Sequence, residues 1–402
     1  MRRALSWMII LSAGLSLALP SAASAAPSPA LCEATVQAID AAAARTLRQG
    51  SPGMIIEVAQ HGDLLFSGTY GQADLEQRTA VSRDTVFKLA SISKQFTAAA
   101  ILTLVEEGKL KLDDRLATHV PELKAAAGVR VYDLLVQTSG IPDYAEDPSG
   151  NKTKSVAQTP LEMLGWIQRL TPRLQFEPGS RWAYSNSNYV LLGLVAERVS
   201  GKPLATLFRD RLLAPAGLTH TAFDDPSDVV LHRATGYRRS SNAPGGFRHA
   251  DWISPTVPGA AGALRATSAD LLKWASALHG GRILTRHRLA QMVAPGRLAD
   301  GRTTKLGMPE AWQKGLNSDY AMGLFVKPSI GGVRYAHGGD VDGFSTWMAH
   351  YPASGITVVQ MINSESADLR TDEVEAALFP SPGRPCLRGQ EHAPATSSST
   401  AD

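Results

Sequence analysis

Two serines in the 402-residue chain stand three residues before a lysine: Ser91 before Lys94 and Ser149 before Lys152. In such a pair a neutral lysine amine can take the serine proton and leave an alkoxide that attacks a carbonyl carbon. The surroundings separate the two matches. Ser149 lies in Pro148-Ser149-Gly150-Asn151-Lys152, a loop composition with no element to hold it. Ser91 sits where the strand-like Val86–Ala90 gives way to a long helical pattern from Ile92 to Glu107, with Phe96, Ala99, Ala100, Leu102 and Val105 apolar and Gly108 as its stop. Three residues are nearly one helical turn, so Lys94 shares a face with Ser91. A helix start also offers free N–H groups and a positive dipole end, which favour an alkoxide and the oxyanion of an attacked carbonyl. An apolar setting disfavours the lysine charge and makes the amine a base. The plainer alternative is a serine that caps its helix beside a solvated lysine.

Two further patterns bear on that choice. Tyr184-Ser185-Asn186 is the chain's one Tyr-x-Asn and follows the turn-rich stretch Phe176–Ala183. A phenol beside a lysine can relay protons to a leaving group, and the amide of Asn186 can hold a substrate carbonyl. By itself the pair reads equally as a loop tyrosine followed by an N-cap asparagine. His-Gly-Gly occurs twice. His279-Gly280-Gly281 ends a helical pattern and reads as a C-cap. His337-Gly338-Gly339 follows the strand pattern Gly332–Ala336, where glycines let a substrate backbone approach a sheet edge. The N–H of Asp340 would then be a second oxyanion donor, and a plain β-turn is the alternative. Other chemistries lack support. Gly-x-Ser-x-Gly is absent, with Gly343–Trp347 missing its last glycine. Two cysteines do not make a thiol-metal site, and ten histidines without His-Glu-x-x-His spacing give zinc no positive support.

The elements that must carry these residues fall in a clear order. Ala34–Arg48 is helical, and Met54–Gln60 and Leu64–Tyr70 form a hairpin across His61-Gly62-Asp63. Helical patterns follow at Val131–Val136, Leu161–Leu170, Tyr189–Val199 and Ser268–Leu278, the last with Ser268 as N-cap candidate. Strands return at Tyr320–Val326, Gly332–Ala336, Ser345–Tyr351 and Ile356–Ile362, and Thr371–Phe379 closes with a helix. Strands at both ends and helices between predict an α/β (α+β) fold. An antiparallel sheet flanked by the N- and C-terminal helices forms from 26–90 plus 258–386, with a mostly helical domain, 91–257, inserted. Residues 387–402, rich in Ser, Thr and Ala, are expected to be a disordered tail.

Hydrophobic residues make up 44% and charged residues 19%, an ordinary globular balance. The formal charge of +3 includes Arg2 and Arg3, and nothing in it directs the chain to nucleic acid. Residues 1–25 read as a secretory signal peptide: the two arginines, an apolar run to Leu19, Pro20, then Ala23-Ser24-Ala25 as cleavage site. An uncut membrane anchor is the alternative, but the uncharged core falls short of the ~20 residues a bilayer needs. The expectation is a periplasmic or secreted protein with no stable membrane span after cleavage. Cys32 and Cys386, near the two ends, can form one disulfide in an oxidising compartment or remain two thiols.

Taken together, Ser91-x-x-Lys94, Tyr184-x-Asn186 and His337-Gly338-Gly339 resemble the ordered motifs of the serine β-lactamase and penicillin-binding-protein superfamily. Their spacing is similar to the class C branch with its D-alanyl-D-alanine carboxypeptidase and esterase relatives. Thr138-Ser139-Gly140-Ile141-Pro142, Phe176-Glu177-Pro178-Gly179, Gly262-Ala263-Leu264 and Thr267–Leu271 extend the resemblance over about residues 35 to 380. It implies a β-lactamase/transpeptidase-like fold and an acyl-enzyme on Ser91, with no metal or organic cofactor required. Lys94 would be the base, Tyr184 the proton relay, and the N–H groups of Ser91 and Asp340 the oxyanion hole. Asn186 and His337-Gly338-Gly339 would contact a small-molecule or peptide substrate. Two positions depart from the family pattern: His337-Gly338-Gly339 stands for Lys-Thr-Gly, and Gln137 stands where many relatives have histidine. The first removes the charge and hydroxyl offered to a substrate carboxylate, and Asp340 and Asp342 would repel one. The expected reaction is therefore cleavage of a small ester, amide or D-amino-acid peptide. A true class C-like β-lactamase, or a non-catalytic binder of peptidoglycan or β-lactams, are the alternatives.

Overall fold

The computed structural model describes residues 30–47, 50–149, 154–310, 313 and 317–388. The signal-peptide segment and Lys152 of the second Ser-x-x-Lys lie outside them. Seven strands form one antiparallel sheet: β1 (Met54–Gln60), β2 (Asp63–Tyr70), β3 (Asp319–Tyr320), β4 (Phe325–Ser329), β5 (Gly332–Val341), β6 (Phe344–Tyr351) and β7 (Ile356–Ile362). The spatial order is β3-β4-β5-β6-β7-β1-β2, so β1 from the start of the chain joins β7 from its end, Met54 opposite Ile362.

Alternation along the strands divides the sheet into two buried faces. Met54, Ile56 and Val58 point with Val358 and Ile362 toward helices α1 (Glu33–Thr46) and α5 (Thr371–Leu378). Ile55, Ala59, Val359 and Met361 point the other way, into the larger core built with α2 (Ser93–Glu106), α3 (Asn186–Ser200) and α4 (Ser268–His279). Strands carrying apolar side chains on both faces need a layer on each side, which is why helices flank the sheet. Cys32 and Cys386 are joined by a disulfide, beside backbone pairing of Leu31 with Leu387.

Several local expectations are corrected. Tyr320–Val326 is not one strand: the chain turns at residues 321–324 between β3 and β4, with Gly323 at φ 80°. His337-Gly338-Gly339 does not follow a strand but lies inside β5, whose pairing with β6 continues to Val341 opposite Phe344. Thr267, not Ser268, caps α4: its side chain accepts from the Asp270 N–H. Leu387 and Arg388 are not part of a disordered tail, since the Arg388 N–H donates to the Ala30 carbonyl at 2.7 Å. Among the described residues no helix is long and apolar enough to cross a membrane.

Candidate active site

Ser91 is the middle residue of a 3₁₀ turn, Ala90–Ile92, that leads directly into α2. The short strand Phe87–Lys88 before it is pinned against Leu264–Ala266. Ala90 adopts φ 47°, a left-handed conformation costly for a residue with a Cβ, and this sharp turn lets Ser91 face outward at the helix start. The sheet holds the turn from behind: Thr346 Oγ1 on β6 donates to the Leu89 carbonyl at 3.0 Å.

One turn on, Lys94 is fully buried. Its Nζ lies 2.9 Å from Ser91 Oγ, 2.8 Å from Asn186 Oδ1 and 2.9 Å from the Ala261 carbonyl. Burial pushes the amine down to about 7, against an opposing pull from the Asp143 carboxylate. Near neutral pH an appreciable fraction of Lys94 is therefore the free amine, which can accept the Ser91 proton.

Tyr184 O–H donates to Ser91 Oγ at 2.9 Å from the other side. Burial raises this phenol well above its ordinary value, with Tyr320 adding to the shift. A phenolate is thus disfavoured, so of the two groups on Ser91 Oγ the lysine amine is the one able to accept a proton, while the tyrosine is an O–H donor. The Tyr184 turn is held by Gln137, a buried residue at φ 66°. Its backbone carbonyl accepts from the Ala183 N–H and its side-chain oxygen from the Ser185 N–H, both at 3.1 Å. The departure noted at Gln137 is thus a scaffold for the Tyr-x-Asn turn. Ser185, rather than Asn186, occupies the N-cap position of α3. Asn186 accepts from Lys94 and donates through Nδ2 to Asp143 Oδ2 at 2.9 Å.

The third motif closes the site. β4 pairs with β5 only as far as Ala336, whereas β6 follows β5 to Val341. Residues 337–341 therefore have an edge that β4 leaves uncovered, beside Ser91. Gly339 makes the approach possible: a Cβ there would meet the Leu89 carbonyl at 2.3 Å and the Ser91 nitrogen at 3.0 Å. His337 is 2% exposed, and burial first and the Lys94 charge second push its imidazole down to about 3. Nδ1 lies 2.6 Å from the Gly338 carbonyl, so it carries the hydrogen and leaves Nε2 as acceptor, 3.3 Å from Tyr320 O–H. The ring packs among Tyr184, Tyr320 and Phe325 as a neutral group. Asp340 is exposed and accepts from Ser345 Oγ at 2.6 Å, while Asp342 pairs with Lys154 at 2.9 Å.

Ser91 stands between two cavities. One of about 260 Å³ is walled by Tyr144, Trp166, Ile253 and Val257, with Asp340 and Asp342 at its side. The other, about 510 Å³, lies on the Tyr184 side and includes His337, Lys327, Phe325 and Trp347. The sequence reading missed Asp143 and Lys327. Asp143 directly follows the quoted Thr138–Pro142 turn, a signal within reach. Lys327 had none, because only the pairing of β4 with β5 brings it to the cavity that Ser91 also lines. Among the described residues no cluster of three His, Cys, Asp or Glu is arranged to hold a metal.

Comparison with known proteins identifies the family and the fold. The family model Beta-lactamase matches residues 33–379. Protein flp of Staphylococcus aureus is 28% identical over 341 residues, covering 82% of this chain and 64% of that protein, so the chain spans about two thirds of that relative's length. A D-stereospecific amidohydrolase from a Streptomyces species superposes with a TM-score of 0.71 at 27% identity, over 86% of this chain and 98% of that one. A D-amino acid amidase from Ochrobactrum anthropi gives 0.71 at 25% identity, over 85% and 98%. The antiparallel sheet, the flanking helices and the match across residues 33–379 show that this chain belongs to the Beta-lactamase family of serine hydrolases and penicillin-binding proteins.

Proposed function

We propose that the chain is a serine hydrolase that cleaves small amides or esters, D-amino-acid amides or short peptides first among them, through an acyl-enzyme on Ser91. The observation that carries this reading is the position of Ser91 Oγ, 2.9 Å from both the Lys94 amine and the Tyr184 hydroxyl, with the amine lowered to about 7. The neutral amine takes the Ser91 proton as Oγ bonds to the carbonyl carbon. The carbonyl oxygen takes the negative charge and is stabilised by the N–H groups of Ser91 and Asp340. Collapse expels the amine or alkoxide, which receives a proton through Tyr184 from the Lys94 ammonium. Water then attacks the ester on Ser91, giving its proton back along the same path and releasing the acid.

The cavities support an assignment of the two substrate halves. The leaving group lies on the Tyr184 side, in the 510 Å³ cavity. The acyl part lies against Tyr144 and Trp166. Lys327 lines the leaving-group cavity without an ion pair to any described residue, so a leaving amino acid's carboxylate has a partner there although His337 is neutral. The D-stereospecific amidohydrolase and D-amino acid amidase among the relatives support the amide class. Export is part of the proposal, supported by the N-terminal sequence and by the Cys32–Cys386 disulfide.

The test is an intact-mass time course with a D-amino-acid amide, an activated short-chain ester and benzylpenicillin, run beside Ser91→Ala. A transient acyl adduct that needs Ser91 and turns over with the amide or ester is expected. Equal binding by wild type and Ser91→Ala, with no adduct and no product, would replace this reading with a non-catalytic binder.

A further inference from the structure

Lys94, Asn186 and Asp143 form one hydrogen-bonded chain. Lys94 Nζ donates to Asn186 Oδ1 at 2.8 Å, and Asn186 Nδ2 donates to Asp143 Oδ2 at 2.9 Å. We propose that Asp143 is a positioning residue that locks the Asn186 amide with its oxygen toward Lys94 and, by its charge, keeps Lys94 basic enough to carry a proton in each turnover. This inference rests on the reading of Ser91 as nucleophile and Lys94 as its base.

The lock follows from donor and acceptor inventory. An ionised carboxylate only accepts, so it takes the NH₂ end of the amide and leaves the oxygen for Lys94. An amide oxygen cannot donate, so the contact with Lys94 needs an N–H on the amine and favours the ammonium. Without the carboxylate the amide is free to turn, and its NH₂ would oppose the charged lysine.

The charge acts in the same direction. Burial alone drives the Lys94 amine down, and Asp143 is the group that opposes it. The other groups around the lysine do not offer a negative charge. Tyr184 and Tyr189 place their rings 4.9 and 5.6 Å from Nζ, and burial holds both phenols protonated. Tyr320, behind His337, is likewise kept protonated, and His337 is neutral. The Ala261 carbonyl is a dipole. Asp143 itself is raised by burial, while the N–H groups of Ala145 and Asn186 and the Lys94 charge favour its ionised form. Tyr144 beside it is also held protonated. A lysine pushed far below neutrality would be the free amine at every working pH but too weak a base to take and hold the Ser91 proton until the leaving group needs it. Asp143 would set the compromise.

A structural alternative exists, because Asp143 also caps the 3₁₀ turn Tyr144–Glu146 by accepting from the Ala145 N–H at 3.0 Å. The experiment separates the two roles by titrating Lys94 directly. The full chain carries lysine labelled with ¹³C at Cε, and the Lys94 signal is identified by its loss in Lys94→Met. In Asp143→Asn and in Asp143→Ser, which retains an uncharged cap for Ala145, the Lys94 midpoint should fall by about one pH unit or more. Asp143→Glu should restore most of that shift. The acid limb of Ser91 labelling by a fluorophosphonate should move down in parallel. An unchanged Lys94 midpoint in a folded variant overturns the proposal, even if labelling slows. If Ser91 is not labelled in wild type, the hydrolase reading fails while the lysine titration still decides the role of Asp143.

Discussion

Gly339 and Ser91 are in contact across two distant parts of the chain: a Cβ at Gly339 would lie 3.0 Å from the Ser91 nitrogen and 2.3 Å from the Leu89 carbonyl oxygen. Both of those atoms are backbone and cannot swing away. The strand and the Ser91 turn therefore fix each other's position, and the proposed oxyanion donors, Ser91 N–H and Asp340 N–H, depend on this contact.

Gly339→Ala should accordingly cost activity well beyond its cost in stability. A displacement of about 1 Å at a reacting centre costs about 100-fold, whereas overpacking of this kind costs about 1–3 kcal/mol. Parallel measurement of kcat/KM and of urea unfolding checks it. A variant with wild-type kcat/KM would mean that the two segments separate without consequence.

The pH dependence of acylation should show an acid limb with a midpoint near 7, because Lys94 must be neutral to act as base and its amine is lowered to about 7. The sign for stability follows from linkage. Between about 7 and the ordinary value of 10.5 the unfolded chain binds a proton at Lys94 that the folded chain has partly released, so this residue makes stability rise with pH there. Lys94→Met should abolish labelling of Ser91, and its stability should lose that slope. Thermal unfolding from pH 7 to 10 in the two proteins measures it.

His337 gives a second window. Its folded imidazole is lowered to about 3 and that of His350 to about 4, both chiefly by burial. As pH falls below 6.5 the unfolded chain takes up these protons first, so stability declines from about 6.5 toward 4. His337→Gln should flatten part of that decline. His337→Lys, which restores the lysine of the family motif, should lower the melting temperature rather than create a β-lactamase, since it buries a charge among Tyr184, Tyr320 and Phe325.

The Cys32–Cys386 bond closes nearly the whole chain into one loop, with 354 residues separating the pair in sequence. Long loops gain most from such closure, and its loss should cost about 2–4 kcal/mol. Cys32→Ser with Cys386→Ser should unfold at lower urea while retaining Ser91 labelling at 25 °C, because the bond ties α1 to the end of the chain on the sheet face away from α2.

Residue types and short spacings determined much of this protein. Ser91 and Lys94 share a helical turn, and Tyr184 and Asn186 meet at the start of α3, because local backbone geometry places residues a few positions apart. The order of elements likewise announced one antiparallel sheet joining both chain ends, as β1 pairing with β7 bears out.

Tertiary structure decided what those residues can do. His337-Gly338-Gly339 has an open edge because β4 begins at Phe325, opposite Ala336, a register that no local pattern specifies. His337 is neutral and Lys94 weakly basic because residues tens to hundreds of positions away exclude water from them. Asp143 is hydrogen-bonded to Lys94 through Asn186, 43 positions further along the chain. Proton affinity depends on desolvation and nearby charge, and both are properties of the packed site rather than of the sequence around it.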